Sequence, residues 1–165
     1  MQWSIFTNVY YIAIKMDFEI LSTLDINSAL KRFSVFKGTF PADRVPILKV
    51  KKSQAFIINT AKNEKEGDHW TALLVEGNKC SFFDSFGYQL LNVKVLNSLK
   101  NINIIQYQYS NVPIQPIFSD NCGYYCIAFI LSYLKGFSYS EFLNLFSNNA
   151  NENNNICYKF IQNYI

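Results

Sequence analysis

The sequence predicts an α+β fold, and three observations carry that prediction. Apolar residues on either side of Gly77-Asn78 read as two strands joined by a tight turn. The run Gly123 to Leu134 is strongly apolar, long enough for a buried helix, and closed near Gly136. The remaining helix and strand signals come in mixed order, with no internal repeat.

At 165 residues the chain is expected to form one domain over residues 1–165. Half of it is apolar and 17% is aromatic, enough to build a core without disulfides. Met1 to Ile14 is aromatic and apolar but lacks the basic start and cleavage site of a signal peptide. It is also shorter than the ~20 apolar residues of a membrane helix. Residues 1–15 are therefore read as an N-terminal extension, an added strand or docked arm, with Met16 as an alternative start.

Thr23 or Asp25 is expected to cap a short helix through Ile26, Ala29, Leu30 and Phe33. Gly38, Pro41 and Pro46 mark residues 36–46 as a loop. Gln54 to Thr60 is a strand around Phe56-Ile57-Ile58, and the polar stretch Ala61 to Gly67 is exposed. The hairpin pairs His69–Val75 with Lys79–Asp84. Val93–Leu99 reads as a helix, Ile102–Tyr109 as a strand, and residues 113–121 as a loop. Ser140 is expected to cap a helix with Phe142, Leu143 and Phe146. Residues 147–155 are asparagine-rich and read as a surface loop without function. Cys157 to Ile165 closes the chain, with Phe160 and Ile161 packed down.

A net charge of +3 is mild and does not by itself indicate nucleic acid. The basic runs Lys49-Val50-Lys51-Lys52 and Lys31-Arg32 are the candidates for contact with an acidic partner. The four cysteines, Cys80, Cys122, Cys126 and Cys157, do not form a secreted disulfide framework. No C-x-x-C pair exists, so no metal site is expected, and free thiols in a reducing compartment are the default.

The chain holds one histidine, His69, so any imidazole base must be that residue. Asp84, Gln115 and Cys122 follow it in order. These are the parts of a thiol nucleophile with its base, a group that orients the base, and an oxyanion donor. Register supports the pairing. A two-residue turn at Gly77-Asn78 sets Glu76 against Lys79 and Thr71 against Asp84. His69 then shares a face with Asp84, one diagonal away. Cys122 is expected at the N-terminus of the apolar helix, where the dipole and free amides stabilise a thiolate. Its setting between Asp120-Asn121 and Gly123 argues against burial, and Gly123 would let a substrate backbone approach. Cys126, one helical turn on, reads as core. Gln115 and the Cys122 amide would form the oxyanion hole. Trp70 would pack in the core and shield the ion pair from water.

These residues resemble the adenain-like viral maturation proteases and their relatives, the ubiquitin-like-protein-specific cysteine proteases. The likeness lies in His69-Trp70, the Phe-Asp-Ser-Phe-Gly run around Asp84, Gln115, Cys122-Gly123 and Cys126. The seven-residue step from Gln115 to Cys122 and the motif Phe36 to Asp43 are similar to the viral branch. The likeness covers roughly residues 20 to 135 and is specific as a set. It implies an α+β fold with a mixed sheet packed on a central helix that carries the nucleophile. It also implies cleavage of viral precursor proteins near small residues, with Thr39 and Asp43 beside the substrate groove.

Such an enzyme would be intracellular, in the virion and the host nucleus or cytoplasm, monomeric and unattached to membrane. Asp84 departs from the longer acid of the adenoviral enzyme and is similar to the deconjugating branch. Activation by a disulfide-linked peptide is not expected, because Leu99 to Asn121 contains no cysteine. Activation by DNA rests on the resemblance and the weak basic run. The sequence requires no cofactor. The main reading is a cysteine endopeptidase of viral or virus-like-element precursors. Its rivals are an isopeptidase for a SUMO-like modifier, an acyltransferase using the same site, and a non-catalytic docking module.

Overall fold

The computed structural model describes residues 20–46, 52–62, 68–90 and 92–164. The readings of residues 1–15, of Lys49 to Lys51 and of residues 63–67 lie outside the described residues.

Among the described residues, one five-stranded sheet is ordered β1-β2-β3-β4-β5. Its strands are β1 (Phe36–Pro41), β2 (Gln54–Asn59), β3 (Trp70–Glu76), β4 (Lys79–Phe83) and β5 (Gln106–Gln108). The sheet is mixed: β1 runs parallel to β2 and β4 to β5, while the inner pairs are antiparallel. The helices are α1 (Thr23–Leu30), α2 (Val93–Asn101), α3 (Cys122–Leu134), α4 (Tyr139–Leu143) and α5 (Ala150–Tyr164).

The sheet lies between two apolar layers. Ala55, Ile57, Trp70, Ala72 and Leu74 join a large core with α1, α3, α4 and α5. Phe56, Ile58, Leu73, Val75 and Phe82 face a smaller core with Val95 and Leu99 of α2. This is the strand alternation of side chains, one set to each layer. The helix α3 is buried from Cys122 to Ser132, as its uninterrupted apolar run requires.

Several expectations are corrected. Residues 36–41 form strand β1 rather than a loop. Gly38, at φ +125°, sits where the register with β2 shifts, and Pro41 ends an edge strand where its missing N–H costs little. The turn residues were real, but pairing with β2 absorbed them. The cap of α1 is Ser22, not Thr23 or Asp25; the Asp25 carboxylate accepts in turn from the Ser22 amide in a capping box. Ser138 and Glu141 form the same device at α4, two residues before the expected Ser140.

Strand β5 keeps only three of the residues expected for it, because Ile102 and Ile104 pack on the smaller core within the turn that follows α2. The asparagine-rich stretch is a loop only to Asn149; α5 starts at Ala150. The reason is tertiary. Buried Asn153 donates from its side-chain nitrogen to the Ile114 and Ser147 carbonyls, and its oxygen accepts from the Ser147 amide. Those bonds outweigh the modest helix propensity of asparagine.

Candidate active site

Strand β3 and β4 carry the first wall of the site. Their ladder runs Glu76↔Lys79 to Ala72↔Phe83, the register expected from a two-residue turn, with Gly77 at φ +57°. The His69 carbonyl accepts from the Thr60 amide, so pairing with the β2 side continues up to the imidazole residue. Asp84, just past β4, lies one diagonal from it. His69 Nε2 meets Asp84 Oδ1 at 3.0 Å. The Phe86 amide donates to the same oxygen at 2.8 Å, and the Phe86 ring packs 5.0 Å from the imidazole. Asp84 is 4% exposed, so its charge is screened little by water.

With Nε2 engaged, His69 shares its remaining hydrogen-bonding capacity with Cys122. Cys122 opens α3, whose first amides have no intrahelical acceptor. Its Sγ also accepts from the Trp70 amide at 3.4 Å. Burial opposes a charge on His69, but the hydrogen bonds and charges of Asp84 and Cys122 prevail and raise its pKa from 6.5 to about 9.

Against expectation, Cys122 is only 8% exposed. The thiol nevertheless stands where two cavities meet. One, of about 620 Å³, carries Leu21, Thr39 and Trp70; the other, of about 980 Å³, carries His69, Asp84, Gln115 and Ile117. Trp70 is buried, and its indole N–H donates to the Leu21 carbonyl, which ties β3 to the segment entering α1.

The second wall is the loop before α3. Gln115 is 1% exposed, and its side chain is held at both ends. Its Oε1 accepts from the Ser85 hydroxyl at 2.6 Å, and its Nε2 donates to the Ser119 carbonyl. The Ser85 carbonyl also accepts from the amides of Ile114 and Gln115. Fixing Oε1 on a donor forces the amide nitrogen toward the loop and leaves it a second hydrogen to offer. Gly87, at φ +77°, lets this crossing form. A Cβ there would lie 2.8 Å from the Asn111 carbonyl carbon.

The structure thus brings His69, Asp84, Gln115, Cys122, Trp70 and Thr39 to one cleft. Two expected members stand apart. Asp43 lines neither cavity and faces Arg44 at 3.8 Å on the surface. Gly123 is filled from its own protein side: a Cβ would meet Leu21 Cβ at 3.1 Å. Its missing side chain serves the packing of α3 on the chain entering α1, not the approach of a substrate. Sequence reasoning gave no role to Ser85, Phe86 or Asn153. The first two stand beside Asp84, and that adjacency was the available signal; Asn153 had none. Cys126 and Cys157 are fully buried in the large core, and burial raises both thiols well above their usual range.

Among the described residues no helix is long and apolar enough to cross a membrane, and no group of three metal-ligating side chains gathers. No curated protein matches the sequence. A solved structure, the crystal structure of selenomethionine ASFV pS273R protease, has a similar fold. The TM-score is 0.55 at 18% identity, over 88% of this chain and 68% of that one. A family profile described as adenovirus endoprotease matches residues 33–149, from the end of α1 to the turn before α5. That match spans well over half of the chain and contains His69, Asp84, Gln115 and Cys122, so the chain belongs to the adenovirus endoprotease family and is a cysteine-type peptidase.

Proposed function

We propose that this peptidase is an endopeptidase that processes viral or virus-like-element precursor proteins during particle maturation, with Cys122 as its nucleophile. The observation that supports this most is the single imidazole held between a buried carboxylate and a helix-terminal thiol. His69 takes the thiol proton, and Asp84 orients the ring and stabilises its charge. The thiolate attacks the scissile carbonyl. The oxyanion that forms is held by the Cys122 amide and the free N–H of Gln115. His69 then activates the water that releases the acyl group. This reading needs no disulfide-linked peptide, since no cysteine lies between Leu99 and Asn121.

The test is cleavage-site profiling on a peptide library from a denatured proteome, wild type beside Cys122→Ser. Internal cuts near small residues that vanish in the variant are expected, a loss of about three orders of magnitude or more. A variant that cuts like wild type overturns the assignment. One observation favours an isopeptidase as the second reading: Trp70 borders the smaller cavity directly beside Cys122. An electrophile carried on a ubiquitin-like Gly-Gly tail would then label Cys122, while short peptides stay uncut.

A further inference from the structure

The two cavities that meet at Cys122 are chemically unequal, and the reaction assigns them unequal roles. Trp70 lines only the smaller one, and His69 lines only the larger. When the tetrahedral adduct collapses, the Cys122 S–C bond stays and the C–N bond breaks with its electron pair on nitrogen. The imidazolium of His69 gives that nitrogen its proton. The departing nitrogen is the first atom of the substrate's C-terminal half. That half must therefore lie on the His69 side, and the acyl half on the Trp70 side.

The larger cavity also has a built preference. Buried Leu90 lines it, and Phe86 packs against the His69 ring. Tyr88 and Ile117 also line it, 67% and 79% exposed, so two large apolar side chains face water in the cavity that holds His69 and Cys122. An apolar substrate side chain laid over them removes that surface from water. Asp68 and Asp120 line both cavities, so their charges do not distinguish the two halves.

We propose that the His69 side of the groove selects a large apolar residue in the first two positions after the scissile bond, with Tyr88 and Ile117 as specificity residues. This rests on the peptidase reading of Cys122 and deepens it.

The experiment uses quenched peptides built on a site found by profiling, with Leu or Ser placed at those two positions. Wild type is expected to favour Leu on the order of tenfold in kcat/KM. The double variant Tyr88→Ser, Ile117→Ser is expected to bring the ratio within about twofold, since both changes are at exposed positions and spare the core. Equal cleavage of both peptides by wild type, or a preference that the double variant keeps, overturns the proposal and leaves the peptidase reading standing. If no peptide is cut and iodoacetamide alkylates Cys122 no faster than a free thiol, the peptidase reading itself falls, and this proposal with it.

Discussion

The two walls of the cleft are held by different means. His69 and Asp84 stand at the ends of neighbouring strands, just before β3 and just after β4, where the ladder behind them sets their spacing. Gln115 stands in a loop with no strand on either side of it. Three polar side chains substitute for a ladder: Ser85 holds its oxygen, Asn153 holds the Ile114 carbonyl before it, and Asn154 accepts from Ser119 after it. A ladder spreads its support over many backbone bonds, and no single side chain is essential to it. A buried side-chain clamp concentrates support, and losing one member leaves its partner desolvated and unpaired. Substitutions on the strand wall should therefore remove rate and spare the fold, whereas those behind the loop wall should cost both.

The largest effect is expected at Asp84→Asn. The amide keeps the shape but stabilises neither the imidazolium nor its orientation, and kcat should drop by about two to four orders of magnitude. Above about pH 9, where the His69 pairing no longer adds stability, the melting temperature should move little. A large drop in melting temperature there would break the contrast between the walls.

Asn153→Leu tests the other wall. It strands two carbonyls and one amide in a buried site. A destabilisation of about 2–4 kcal/mol by urea titration is expected, together with a fall in kcat as Gln115 loses its support. Lost stability with an unchanged kcat would show that the loop wall does not position the oxyanion donor.

The third test is pH. The folded pKa of His69, about 9, lies above its ordinary 6.5, so the stabilising contribution of its pairing is complete below pH 6.5 and is lost as pH rises to about 9. Activity should share that upper limb, with kcat/KM falling about tenfold per pH unit above it. Asp84→Asn should move the limb to lower pH. An unmoved limb would assign it to another group.

The smallest effect is expected at Ser85→Ala, which frees the Gln115 oxygen. A loss of about 1–2 kcal/mol and on the order of tenfold in kcat, with KM nearly unchanged, is expected from melting and steady-state rates. Ser85→Thr, which restores a hydroxyl, should recover part of the rate.

The legible parts of this molecule were those in which neighbours in sequence are also neighbours in space. The Gly77-Asn78 turn set the β3–β4 register, and from that register the approach of His69 to Asp84 followed. The apolar run after Cys122 announced both the central helix and the placement of a thiol at its start. Both helix caps of the box type were missed by one to three residues, since several polar residues competed for each position. The parts that misled were those where local chemistry and distant packing pull apart. Gly38 and Pro41 carry turn signals yet sit in an edge strand, and the asparagines after Ser147 carry loop signals yet open a helix.

By itself the sequence determined the order and types of the reacting groups, the hairpin register that joins His69 to Asp84, and the buried helix that presents Cys122. Those depend on alternation, turn chemistry and one apolar run, all short-range properties. Only the tertiary structure decided that Gln115 would line the same cavity as the thiol, that Gly123 would serve packing on Leu21, and that Asn153 would support the loop. Each of those joins segments far apart in the chain through a side chain whose type alone does not name its partner.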